Sequence, residues 1–70
     1  MERNTDIVSL TAQEKKVLAL MAAGMTCNQM AEAMALTVQT IKWYRMRLRY
    51  KFHAATSSEL IHKAGMQGLL

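Results

Sequence analysis

The stretch Thr26-Cys27-Asn28-Gln29-Met30-Ala31-Glu32-Ala33-Met34, then Ala35-Leu36-Thr37, then Val38-Gln39-Thr40-Ile41-Lys42-Trp43-Tyr44-Arg45-Met46-Arg47-Leu48-Arg49-Tyr50-Lys51-Phe52 decides the fold. It reads as a short helix, a three-residue break and a long helix. Thr26 with Gln29 three residues on has capping-box spacing, in which a hydroxyl and an amide satisfy each other's orphan backbone groups. Met30, Ala31 and Met34 form the apolar face of the short helix. Thr37, three residues before Thr40, opens the long one, predicted from about Val38 to Phe52. At about 100° per residue, Ile41, Leu48 and Phe52 share one stripe, with Val38 and Tyr44 at its edges. Gln39, Trp43, Met46, Arg47 and Tyr50 fall on the opposite side.

The same chemistry extends outward from this pair. Thr11-Ala12-Gln13-Glu14 is a capping box, followed by Val17, Leu18, Met21 and Met25 at helical spacing and by Gly24 as a left-handed stop. Thr56-Ser57-Ser58-Glu59 is another, opening a helix that carries Leu60, Ile61 and Ala64 and ends near Gly68. Residues 1–9 read as a flexible N-terminal arm and residues 10–70 as one domain. There is no proline, and no run of alternating β-branched residues suggests a strand. The expected fold is all-α, four helices with short connections.

Seventy residues, 51% of them hydrophobic, are enough for one small core and too few to wall a deep enzyme cleft. The formal charge is +4, which favours a polyanionic partner. That charge is concentrated. Residues 1–36 carry three cations against four acids, whereas residues 37–52 carry Lys42, Arg45, Arg47, Arg49 and Lys51 with no acid. An amphipathic helix with a basic, amide-bearing outer face suits the DNA major groove, about 12 Å wide, whose base edges pair with Arg, Lys and Gln. The shorter helix 26–34 supplies the brace of a helix-turn-helix.

Other chemistry finds little support. With one cysteine, Cys27, the chain forms no internal disulfide and no Cys-rich zinc cage, which suits a reducing, cytoplasmic setting. His53 and His62 have no partners at metal-ligand spacing. Ser9, Ser57 and Ser58 lack a His/Asp context, and no glycine loop cradles phosphate. The expectation is no enzyme, no cofactor, no metal and no small-molecule ligand. The N-terminus lacks a signal-peptide core, and no apolar run reaches the ~20 residues of a membrane span.

At these residues the chain resembles the LuxR/NarL/GerE-type helix-turn-helix domain of bacterial transcription regulators. The likeness is carried by Leu10-Thr11, Glu14, Val17-Leu18, Gly24-Met25-Thr26, Met30-Ala31, Met34, Leu36-Thr37, Thr40-Ile41-Lys42, Tyr44, Leu48, Lys51-Phe52 and Thr56, and runs from residue 10 to about 69 without a gap. It implies a tetrahelical domain whose helix-turn-helix maps onto Cys27 to Met46, with the third helix as recognition helix and the fourth as dimer contact. The chain departs from the family pattern at Asn28, where a basic residue is frequent, at Tyr44, where His is common, and at Ser57, where Arg is usual. Trp43 and Met46 stand at base-facing positions that are more often polar, so the sequence preference should be this chain's own.

The reading is therefore a DNA-binding transcription regulator, or the output domain of one. Gln39, Lys42 and Arg47 are the expected base contacts, with Trp43 and Met46 making apolar ones. Thr26, Thr37, Thr40, Tyr44 and Lys51 are expected on the DNA backbone. Arg47 and Lys51 are expected to point outward, whereas Arg45 lies beside the core stripe, where snorkelling and DNA contact weigh equally. Ser58, His62 and Met66 are the expected contacts of a homodimer on double-stranded DNA, and Leu69-Leu70 are left for solvent or for the twin, the alternative being that Met66, Leu69 and Leu70 close the bottom of the core. Two rivals remain: a module binding an acidic protein, RNA polymerase or another regulator, through the basic helix, and a membrane-surface peptide. The caps and stops of a folded bundle weigh against the second.

Overall fold

The computed structural model describes residues 8–70. Among them the chain forms α1 (Ala12–Ala22), α2 (Cys27–Met34), α3 (Val38–Phe52) and α4 (Ser57–Met66), with no strand. Each helix begins where a threonine hydroxyl can accept an amide proton. Thr11 Oγ1 accepts from the Glu14 N–H at 3.2 Å and Thr26 Oγ1 from the Gln29 N–H at 3.1 Å, and in both boxes the third-position side chain returns the bond. Thr37 caps α3 through the Thr40 N–H at 3.1 Å. The third box is only half formed: Thr56 accepts from the Glu59 N–H, but the Glu59 carboxylate accepts from the Ala55 N–H instead.

Gly24 ends α1 at a φ of 86°, a conformation open to glycine without steric cost. The turn swings Met25 off the α1 stripe, leaving it partly exposed rather than in the core. The ends of α2 and α3 carry no glycine at all. Ala35 and His53 occupy the left-handed region there, at φ 55° and 54°, and in both turns the following amide reaches back to close the helix end.

The helix α3 packs against α1, α2 and α4 and forms the centre of the molecule. Ile41, Leu48 and Phe52 are buried against Val17, Leu18 and Met21 of α1, Met30 and Ala31 of α2, and Leu60 and Ala64 of α4. Val38, Tyr44, Met34 and Ile61 are half-buried at its rim. Of the apolar tail, Leu69 takes the core-closing alternative and packs here, while Met66 and Leu70 stay out. Val8 and Ser9 belong to the expected flexible arm, yet both are tied down. The Val8 N–H donates to Gln67 Oε1 at 3.1 Å, and the Ser9 carbonyl accepts from Lys51 Nζ at 3.2 Å. The rest of that arm, residues 1–7, lies outside the described residues.

Candidate nucleic-acid interface

The outer face of α3 is built by what its inner face must bury. With Ile41, Leu48 and Phe52 fixed inward, helical periodicity sends Gln39, Lys42, Trp43, Met46, Arg47 and Tyr50 to the surface, and all six are exposed. Trp43 and Met46 are about half exposed and Tyr50 stands almost free. The five expected base-facing residues thus share one continuous surface. Thr37 lies at the N-terminus of α3, at one end of this face, and Thr26 at the N-terminus of α2, near Arg45 and Ser57; at both, unpaired amides and the helix dipole favour an anion. A capping hydroxyl accepts from the backbone and keeps its own proton to donate. The Thr37 and Thr40 hydroxyls are 2.9 Å apart, so one of them donates to the other and the second proton is still available. Tyr44 is half-buried, its ring edge-on to Trp43 with centroids 5.1 Å apart.

The cations of α3 are less free than their spacing suggests. Arg47 and Lys51 do not simply point outward: both heads turn toward α1 and meet Glu14. Lys51 Nζ donates to Glu14 Oε1 at 2.6 Å and Arg47 Nε to Oε2 at 3.3 Å. Glu14 is 1% exposed, the one buried charged side chain among the described residues. Burial alone would raise its pKa, but the hydrogen bond from Lys51, the bond from the Thr11 N–H and the charges of Lys51 and Arg47 outweigh it, holding the carboxyl below its ordinary range. The carboxylate is therefore ionised at neutral pH and welds α1 to α3.

This role of Glu14 is absent from the sequence reading, which sees only the capping box. The signal lay in the spacing. Glu14 precedes Val17 and Leu18 by three and four residues, so it sits on the buried stripe of its own helix and must find a cation there.

Arg45 resolves toward packing. Its stem is half-buried, and the guanidinium donates to Cys27 Sγ and Ser57 Oγ, both at 2.8 Å, bridging α2 and α4. Arg49 reaches the Ala55 carbonyl at 3.4 Å. Lys63 on α4 donates to the Phe52 and His53 carbonyls, closing the left-handed end of α3. Ser58, His62 and Met66 are exposed along α4, Met66 strongly so. No described helix is long and apolar enough to cross a membrane.

A short helix and a longer one joined by a tight turn, with the longer presenting a polar, cationic face and two further helices bracing it, define a helix-turn-helix domain. Residues 8–64 match the GerE family, bacterial regulatory proteins of the luxR family, and the chain belongs to that family. It is a family of DNA-binding domains of transcription regulators and not of enzymes. Over 54 residues the chain is 35% identical to the tetrathionate response regulatory protein TtrR of Salmonella typhimurium, covering 77% of this chain and 26% of that protein. Among solved structures, the VqmA dimer of Vibrio cholerae, a LuxR-type receptor in the absence of its target DNA, superposes with a TM-score of 0.87 at 34% identity, over 97% of this chain and 31% of that one. A VqmA–ligand–DNA complex gives 0.85 at 32%, over 99% and 30%. The chain thus spans between about a quarter and a third of the length of these relatives.

Proposed function

We propose that this domain binds double-stranded DNA in a sequence-specific manner with α3 in the major groove. The observation that carries this reading is the single exposed face shared by Gln39, Lys42, Trp43, Met46 and Arg47, with the capped N-terminus of α3 at one end. Gln39, Lys42 and Arg47 address base edges. Trp43 and Met46 offer apolar surface to groups such as the thymine methyl. Thr26, Thr37, Thr40 and Tyr44 hold the sugar–phosphate backbone, and Lys51 contributes through the one ammonium proton that Glu14 and Ser9 leave unused. Ser58, His62 and Met66 supply the surface of α4 through which two copies pair on DNA, in keeping with the VqmA dimer that the fold matches.

Titration with a randomised duplex pool tests the reading, with Trp43, the chain's single tryptophan, as reporter. Saturable quenching that weakens steeply with salt is expected, because phosphate neutralisation releases counterions. Binding seen by duplex anisotropy with unchanged Trp43 emission would place DNA elsewhere than on α3. Absence of binding at low salt would refute DNA as the partner.

A further inference from the structure

Arg47 is held from two sides. Its Nε donates to Glu14 Oε2 at 3.3 Å, and that carboxylate is itself anchored by burial, by the Thr11 N–H and by Lys51. The guanidinium carbon lies 4.9 Å from the centre of the Trp43 ring, one helical turn earlier, in cation–π range. A long arginine side chain ordinarily samples many rotamers, and fixing one costs conformational entropy. Here the fold has already restricted it.

What remains free is the outer edge of the group. Among the described residues only Nε of Arg47 is engaged, so both terminal nitrogens stay available as a parallel pair of donors, on a side chain 45% exposed. In the major groove such a fork matches guanine, whose O6 and N7 are two acceptors on one edge, whereas adenine offers N7 beside a donor. A phosphate also accepts a fork, and Arg47 stands on the edge of the outer face that turns toward α1; its partner on that face is the Trp43 ring, 4.9 Å away, which favours a base edge over the backbone.

We propose that Glu14 and Trp43 preset Arg47 as a bidentate reader of one guanine per protomer. Arg47 is then the specificity-determining residue and Glu14 and Trp43 are positioning residues. The inference rests on the DNA-binding reading above and is separable from it by experiment.

The test starts from a duplex selected by the wild-type protein out of a randomised pool, and measures affinity by anisotropy of the labelled DNA. Each guanine is replaced in turn by 7-deazaguanine, which removes the N7 acceptor and leaves base pairing intact. At one guanine the wild-type protein is expected to lose roughly 2- to 13-fold, half the discrimination of a bidentate pair. In Arg47→Lys, which keeps the charge and loses the fork, that loss falls to near onefold, and affinity for the selected duplex drops by more than affinity for random duplex. Trp43→Leu lowers the discrimination in the same way and Trp43→Phe, which keeps an aromatic face, lowers it less; far-UV circular dichroism verifies that both remain folded. Any of three results overturns the proposal: no guanine sensitive to the deaza substitution, sensitivity that persists in Arg47→Lys, or an Arg47→Lys loss equal on random and selected duplexes, which marks a phosphate contact. Failure of the wild-type protein to bind any duplex at low salt overturns the DNA reading itself, and this inference with it.

Discussion

Replacing Glu14 by alanine should destabilise the domain more than any other change to a charged side chain. The carboxylate is buried, closes the α1 capping box by accepting the Thr11 N–H at 3.0 Å, and receives Lys51 at 2.6 Å. Loss of the cap costs about 0.5–1 kcal/mol, and loss of a charge-assisted bond about 1.5–3 kcal/mol. Two facts lower the total. Lys51 and Arg47 keep 26% and 45% of their side chains exposed and can rehydrate, and the desolvation of Glu14 is relieved when it is removed. A net loss of roughly 1.5–3 kcal/mol follows, against about 4–10 kcal/mol of total stability for a domain of this size. At about 4–8 °C per kcal/mol, the midpoint of thermal unfolding should fall by about 6–24 °C, read by circular dichroism at 222 nm and neutral pH. Lys51→Met should cost less in the Glu14→Ala background than in wild type, by a coupling of roughly 0.5–3 kcal/mol. Acid should reveal the same group. Because the folded-state pKa lies below that of the unfolded chain, the ionised carboxylate stabilises the domain above the unfolded-chain value. That contribution is lost as pH falls through the folded-state value, and Glu14→Gln should lack this part of the acid transition. A Glu14→Ala midpoint within about 2 °C of wild type, with no coupling to Lys51, would refute the α1–α3 weld.

Ala35→Gly should raise stability by about 0.5–1 kcal/mol in urea denaturation, because an alanine at φ 55° pays a left-handed penalty that slightly exceeds the extra unfolded-state entropy of glycine. Leu48→Ala, at a fully buried position, should cost about 2–5 kcal/mol, whereas Tyr50→Ala two residues on should stay within about 0.5 kcal/mol of wild type; the urea midpoints separate them. Lys42→Ala, on an exposed cation with no pairing partner among the described residues, should leave thermal stability unchanged and weaken binding to a selected duplex by about 1–3 kcal/mol more than binding to random duplex, read by anisotropy of the labelled DNA.

Most of the fold was legible because its signals are local. The hydroxyls at Thr11, Thr26, Thr37 and Thr56 announce the helix starts, and the Ile41–Leu48–Phe52 stripe sets the inward face of α3 and hence its outward one. What the sequence hid depends on tertiary neighbours. The left-handed ends at Ala35 and His53 carry no glycine to betray them; the turn is imposed by the amides of Leu36 and Ala54 bonding back into the preceding helix. Leu69 reads as free tail or core closure until the bend at Gly68 folds it onto the core. The direction of Arg47 and Lys51 was illegible for a related reason. Helical periodicity fixes the bearing of a Cα–Cβ bond, but a long flexible side chain follows its nearest opposite charge, and that charge sits on another helix.

Pairing across helices also changes what the charge of α3 means. Its five cations and no acid look like a uniform electrostatic grip on a polyanion. Within the fold Arg45 is spent on Cys27 and Ser57, Arg49 leans on Ala55, and Lys51 is bound to Glu14 and Ser9. Lys42 and the outer edge of Arg47 remain on the face itself. The helix is thus more discriminating than its formal charge implies: Glu14 offsets one positive charge, and Arg45 and Arg49, still charged, are tied to neutral partners within the fold and are less free to reach phosphate. Binding by such a domain should show a shallower salt dependence than five free cations would give. Two copies paired through α4 would then regain affinity by engaging two sites at once instead of by adding charge to one helix.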